Sequence, residues 1–274
     1  MLKWFCLKNV EKKMKIIREP SIYIIGKQTI NSEEIEKFMK DNDVSWKADT
    51  EIGAEILCEI SGRICYMSFG ARQGRKTNKE YLINIIESQH GSVLEHAVWN
   101  FIICGVSRSF THELVRHRAG WGYSQLSQRF VDESETDFIE PELISEDNEL
   151  HKIWIECIEN ILNDYKLILE KLTEKIDKKY QKLSQVMKKK LVRQTARSIL
   201  PNATETKIFV TANARALRHF FELRGSMTAD VEMRKVAVKM LRLMQKEAPN
   251  IFSDYKIVRA DDGTEIVKTE HRKV

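Results

Sequence analysis

The spacing of apolar residues along the chain changes several times, and each change predicts an element. Residues 20–30, PSIYIIGKQTI, carry the β-branched and aromatic bias of a short strand. Asn31, with Glu33 and Glu34 behind it, then opens a helical pattern as an N-cap with acids in the first turn. Helical spacing runs over 52–64 and again over 76–88, where Asn78 or Thr77 serves as the cap. Residues 98–103 alternate as a buried strand does, and a helix over 107–118 follows.

The tract 132–148 is acidic, contains Pro141 and lacks periodicity, so it reads as a loop or lid. Helical spacing resumes over 149–183 and 184–199 on a Lys-rich background and stops at Pro201. A strand over about 205–212 leads into a last long helix over 213–248, broken near Gly225 and Ser226. Residues 1–19 read as an N-terminal extension ahead of one domain over 20–274. The expected fold is α+β: a single helix-dominant domain with a mixed sheet and several long helices.

Composition narrows the classes of function. The 45 basic and 40 acidic residues nearly cancel to +5, which by itself implies no polyanionic partner. Five scattered cysteines without CxxC spacing argue against a disulfide framework or structural zinc and for a reducing, cytoplasmic setting. No window has the apolar length of a membrane span, so no membrane partner is expected. The lysines over 163–193 are spaced all round their helices and are not interleaved with aromatics, so they read as a solvated face rather than a nucleic-acid surface.

Four segments carry candidate chemistry. The densest is 116–130, RHRAGWGYSQLSQRF, with three cations, a Gly-rich turn, then serines, glutamines and another arginine. Cations at a helix C-terminus complement the macrodipole, but that leaves the donors beyond Gly120 unexplained, and the whole suits a nucleotide with phosphate and polar ring edges. In 89–96, QHGSVLEH, Ser92 and Glu95 stand in capping-box relation while His90 and His96 are left over, too few for a metal site. In 210–234, Asn213, Leu217, Phe220 and Arg224 share one helix face, so the amide and guanidinium need partners. Arg197, ahead of Leu200 and Pro201, is by itself a dipole-compensating cation.

Taken in order, these segments resemble the flavin-dependent thymidylate synthases, whose signature is Arg-His-Arg, a spacer, then a serine with an arginine two residues on. Here those positions are Arg116, His117, Arg118, Ser127 and Arg129, and the resemblance covers about residues 52–250. It implies conversion of dUMP to dTMP with methylenetetrahydrofolate as carbon donor, FAD as cofactor and NADPH as reductant, in a homotetramer whose active sites are shared between subunits. It further implies that Ser68, His90, Ser92, Glu95, Arg116, His117, Arg118, Asn213, Arg215, His219 and Leu223 line the flavin site. Glu113, Arg116, Gln125, Leu126, Ser127, Gln128, Arg129, Arg197 and Arg224 are the implied nucleotide contacts, with Arg224, Arg116 and His117 nearest the chemistry and no metal involved.

Within that resemblance the chain departs from the common pattern. The spacer, residues 119–126, is eight residues long where seven is usual, and Gly120 and Gly122 are positioned to absorb the extra one. Glu113 stands where glutamine is frequent and Gln125 where glutamate is, while Thr228 replaces a frequent histidine and Asp230 stands near a usual glutamine. The exchange at Glu113 and Gln125 motivates an alternative, a flavoenzyme acting on another pyrimidine nucleotide.

Overall fold

A computed structural model describes residues 14–274. In chain order the elements are β1 (Ile16–Ile17), β2 (Ser21–Lys27), α1 (Ser32–Asp41), α2 (Gly53–Ile64), α3 (Asn78–Glu87), β3 (Val98–Ser107), α4 (Arg108–Leu114) and β4 (Trp121–Gln125). There follow β5 (Phe138–Ile139), α5 (Glu142–Ser145), α6 (Asn148–Lys179), α7 (Gln185–Ala196), β6 (Glu205–Asn213), α8 (Ala214–Arg224), α9 (Val231–Glu247), α10 (Pro249–Phe252), β7 (Lys256–Arg259) and β8 (Glu265–Lys268). The fold is α+β and helix-dominant, as expected. By internal packing it divides into two compact units.

One unit comprises Pro20–Val106, Phe110–Gln125 and Lys207–Val274. Its sheet runs β2-β3-β6-β4, with β2 antiparallel to β3 and β4 antiparallel to β6. Alternation sends Trp99, Phe101 and Ile103 of β3 and Ile208, Val210 and Ala212 of β6 into the core, where they join Leu217, Phe220 and Phe221 of α8 and Val236, Met240 and Leu241 of α9. Helix starts follow from caps. The Asn31 side chain accepts from Glu34 N–H at 3.2 Å, and Thr77 with Glu80 forms a reciprocal capping box.

The other unit comprises the described residues up to Glu19, with Ser107–Ser109 and Leu126–Thr206. The long helix α6, capped by Asp147, packs on α7, capped by Ser184. Here β1 pairs in parallel with β5, Lys15 N–H donates to Asp137, and Arg18 donates to the buried Glu140 carboxylate at 2.8 Å. Residues 14–19 of the expected extension are thus hydrogen-bonded into this unit, and residues 1–13 lie outside the described residues.

Several expectations need correction. The segment 132–148 is no open lid: it holds β5 and α5, with Glu133, Thr136, Asp137 and Glu140 buried, because backbone pairing with residues 15–17 and 203–205 replaces hydrophobic periodicity. The helix expected to Arg118 stops at Leu114, and the N–H groups of Arg116 and His117 turn tightly onto the carbonyls of Glu113 and Leu114. Beyond it β4 is a strand where a turn was read, and β7 and β8 form an unanticipated hairpin.

That C-terminal region is tied to α8 by Arg218, whose side chain is fully buried. Its guanidinium binds Asp254 through two bonds of 2.6 and 2.8 Å and also donates to the carbonyls of Ile251 and His271. Removing one partner of a buried ion pair strands the other charge. Asp254→Ala is expected to lower unfolding free energy by about 3–5 kcal/mol, measured by urea denaturation.

Candidate active site

The segment 116–125 lies in the unit that contains the four-stranded sheet. Phe110 and Leu114 of α4 are buried together with His117, although the helix ends before the histidine. Arg116 and Arg118 alternate with His117 and face solvent. Gly120, at φ +73°, then reverses the chain, and a Cβ there would stand 2.7 Å from the Asn213 amide. The turn places Asn213 N–H on Gly120 O at 3.1 Å, while the Asn213 side chain accepts from Ala216 N–H at 2.8 Å and caps α8. The partner its half-buried amide required is therefore the helix N-terminus.

β4 completes the walls. The Tyr123 hydroxyl lies 2.9 Å from Leu114 O and 2.8 Å from His117 O, fastening β4 to the end of α4. The Trp121 and Tyr123 rings stack at 5.8 Å, and Trp121 and Phe220 flank the His117 imidazole at 5.8 and 5.4 Å. Gln125 donates to Thr111 at 2.8 Å. These aromatic walls were missed because the glycines suggested a turn, although the alternation W-G-Y-S-Q is itself a strand signal.

Arg224, the last residue of α8, is the charged centre of this arrangement. Its Nη1 donates to Glu113 Oε2 at 2.6 Å and its Nε to His117 Nε2 at 3.1 Å. Burial first, then the charge of Arg224 and the neighbouring His219, push the His117 pKa down to about 4. His117 is therefore neutral at neutral pH, with Nε2 as acceptor and the proton on Nδ1.

A second group of expected residues lines one exposed stretch of the same unit. Arg215 binds Glu95 at 2.6 Å, and Gly91 runs so close that a Cβ there would sit 3.0 Å from Arg215 Nε. The capping box expected of Ser92 and Glu95 does not form: a short 3-10 helix, Gly91–His96, begins without a side-chain cap, and Glu95 turns to Arg215 instead. His90 and Ser92 are exposed, as is Leu223 at 46%, and His219 lies beside His117 with ring centroids 5.9 Å apart. Ser68 is held through its backbone by Arg63. Exposed cations, a hydroxyl, imidazoles and an apolar side chain are the donor set an extended ring system with a pyrophosphate requires. Among the described residues no group of three or more His, Cys, Asp or Glu could hold a metal.

Ser127, Gln128, Arg129 and Arg197 belong to the unit built on α6 and α7. Ser127 O accepts from the N–H groups of Phe130 and Val131, and Ser127 Oγ accepts from Arg129 N–H at 3.4 Å. Arg193 holds this turn through Phe130 O at 2.6 Å and Asp132 at 3.2 Å. Gln128 is buried, and Leu126 O accepts from Arg108 at 3.4 Å. Burial, opposed by Glu133 and assisted by the nearby Arg197 charge, lowers the Arg108 pKa, so two cations converge here. Arg108 had no sequence signal beyond its place at the end of a strand. A cavity of about 610 Å³ beside β7 and β8 contains none of the expected residues.

Residues 48–250 match the family described as thymidylate synthase complementing protein. Two similar proteins are flavin-dependent thymidylate synthases. That of Corynebacterium efficiens is 43% identical over 235 residues, covering 85% of this chain and 92% of the relative, and that of Mycobacteroides abscessus is 44% identical over 230 residues, covering 84% and 90%. The fold is shared with the UMP/dUMP methylase PolB from Streptomyces cacaoi bound with 5-Br dUMP, at a TM-score of 0.63 and 16% identity over 88% of this chain and 96% of that one.

A folded-state pKa below the unfolded value makes stability from this group present above about pH 6.5 and lost as pH falls toward 4. In an NMR titration the His117 imidazole is expected to stay neutral through pH 6 and protonate near pH 4, with stability falling over the same window. Titration near pH 6.5 would contradict the buried, lone-pair-accepting role.

Proposed function

The chain belongs to the thymidylate synthase complementing protein family, the flavin-dependent thymidylate synthases, and on that premise we propose that it converts dUMP to dTMP with FAD, methylenetetrahydrofolate and NADPH. The observation that carries the reading is the fixed Arg224 guanidinium, held by Glu113 and by a neutral His117. A cation held in place ahead of the reaction stabilises negative charge that develops on a pyrimidine carbonyl oxygen when a nucleophile or hydride adds at C6 and the ring becomes enolate-like. The comparisons favour neither the alternative substrate nor the nucleic-acid reading.

Residue roles follow from chemistry. Ser127, Arg129 and Arg197, together with Arg108 near the Arg197 charge, supply hydroxyl and guanidinium donors for the phosphate. Leu126, Gln125 and Gln128 shape the same contact segment, and Glu113, Arg116 and Arg224 face the pyrimidine. Arg118 and Arg215 would neutralise the FAD pyrophosphate, while His90, Ser92, Glu95, Asn213, His219 and Leu223 supply hydrogen bonds and apolar surface to its rings, with Ser68 at the margin. When bound, FAD supplies the redox chemistry, and His117 keeps its lone pair toward Arg224 beside it. The exposure of this set suits closure by a second copy in a homotetramer with shared sites.

Among the described residues no helix is long and apolar enough to cross a membrane. We place the enzyme in the cytoplasm, where exposed thiols such as Cys65 and Cys157 stay reduced.

Purified protein is expected to show a flavin absorption band and, with all co-substrates, to release tritium from [5-³H]dUMP while forming dTMP. Absence of dTMP would overturn the reading. Arg129→Ala and Arg197→Ala should each raise the KM for dUMP by about 10- to 100-fold, since each removes a charge-assisted bond worth roughly 1.5–3 kcal/mol.

A further inference from the structure

The loop between α2 and α3 carries Arg72, Arg75 and Lys76, and Lys79 follows in the first turn of α3, all four exposed. Among the described residues none of them forms a salt bridge: Arg75 donates to the neutral amide of Asn84, and Glu80, beside Lys76, binds the N–H groups of Lys76 and Thr77. Like charges gathered without counter-ions repel one another, so fixing them in place is unfavourable until an anion joins them. This loop is nevertheless fastened from below. Arg63, whose side chain is 1% exposed, pairs with the buried Glu59 at 2.7 Å and donates at 2.9 Å to both Ser68 O and Arg75 O, so one guanidinium holds both ends of the loop. Gly70 N–H donates to Ser45 O at 2.8 Å, and Gln73 Nε2 donates to Lys76 O at 3.4 Å. α2 and α3 both pack on the 3-10 helix Gly91–His96, so the loop joins the two elements that support the stretch assigned to FAD.

We propose that this cationic loop binds the polyglutamate tail of methylenetetrahydrofolate. The inference rests on the reading of the chain as an enzyme that uses that carbon donor. The tail is a flexible chain of glutamates linked through their side chains, with a free carboxylate on each added residue. Carboxylates strung along a chain are met by cations spread over several positions, as they are here from Arg72 to Lys79. A phosphate is instead cradled by free backbone N–H groups and hydroxyls. Here the N–H groups of Gly70, Arg72, Gln73, Lys76 and Thr77 are all bonded within the protein, and the Thr77 hydroxyl caps α3. That favours the glutamyl tail over the phosphates of NADPH, the other anionic co-substrate. A loop held ahead of binding also loses less conformational freedom when it meets a flexible ligand.

The test compares KM for the mono- and pentaglutamate forms of methylenetetrahydrofolate, with flavin absorbance as the check on folding. Wild type should favour the pentaglutamate by about 10-fold, which about three exposed ion pairs supply together. That preference should shrink by about threefold when salt is raised from about 50 to about 300 mM, because exposed pairs are screened. In the double variant Arg72→Ala with Lys76→Ala it should fall to about twofold through a higher KM for the pentaglutamate, while the charge-preserving Arg72→Lys with Lys76→Arg should keep about half of it or more. Should the alanine pair fail to hold FAD, the salt dependence of wild type decides. No preference in wild type, or one undiminished at high salt or in the alanine pair, overturns the proposal. So does an alanine pair that raises KM for NADPH and leaves the folate preference intact, which assigns the loop to a phosphate. A wild-type enzyme that makes no dTMP with either form overturns instead the reading on which the proposal rests.

Discussion

A guanidinium fixed between a carboxylate and a neutral imidazole is the arrangement on which the rest of this site depends. Arg224 can donate to His117 Nε2 only while that nitrogen keeps its lone pair, and burial keeps it so. A protonated ring would set N–H against N–H and release the arginine. The wall of Trp121 and Phe220 around His117 thus has an electrostatic consequence. It selects the charge state that orients the cation.

That wall exists because of backbone events in the preceding turn. Gly120 takes a positive φ, Asn213 fits against it and caps α8, and β4 then pairs with β6, which brings Trp121 and Tyr123 beside His117. α8 begins at the Asn213 cap and ends at Arg224, so one helix joins the turn that shapes the pocket to the cation within it. The chain reverses at Gly120, and Gly122 sits in regular pairing with Thr211. In the unit built on α6 and α7, Arg193 performs a comparable task, bracing the turn that carries Ser127 and Arg129.

Much of this was legible in the sequence wherever one residue determines a local outcome. Asn31 and Thr77 cap the helices they were expected to cap, Pro201 follows the end of the α7 segment, and the last helix breaks after Arg224 as Gly225 and Ser226 suggested. Asn213 and Arg224 were singled out as polar groups that need partners, and both have them. What was not legible depends on distant partners. β4 is a strand because β6 lies beside it, and segment 132–148 is ordered by residues 15–17, more than a hundred positions away. The capping box at Ser92 failed for the same reason, since Arg215 competes for Glu95 with a full charge. Arg108 had no pattern to mark it, because its significance lies in the neighbouring Arg197 charge.

The central claim is that Arg224 meets the nucleotide while still anchored on neutral His117. A high-resolution structure with dUMP bound tests it most directly. The account predicts that the Arg224 Nε to His117 Nε2 bond persists and that Nη2 lies within hydrogen-bond distance of a pyrimidine oxygen. An Arg224 side chain that leaves His117, or a pyrimidine bound out of its reach, would contradict it.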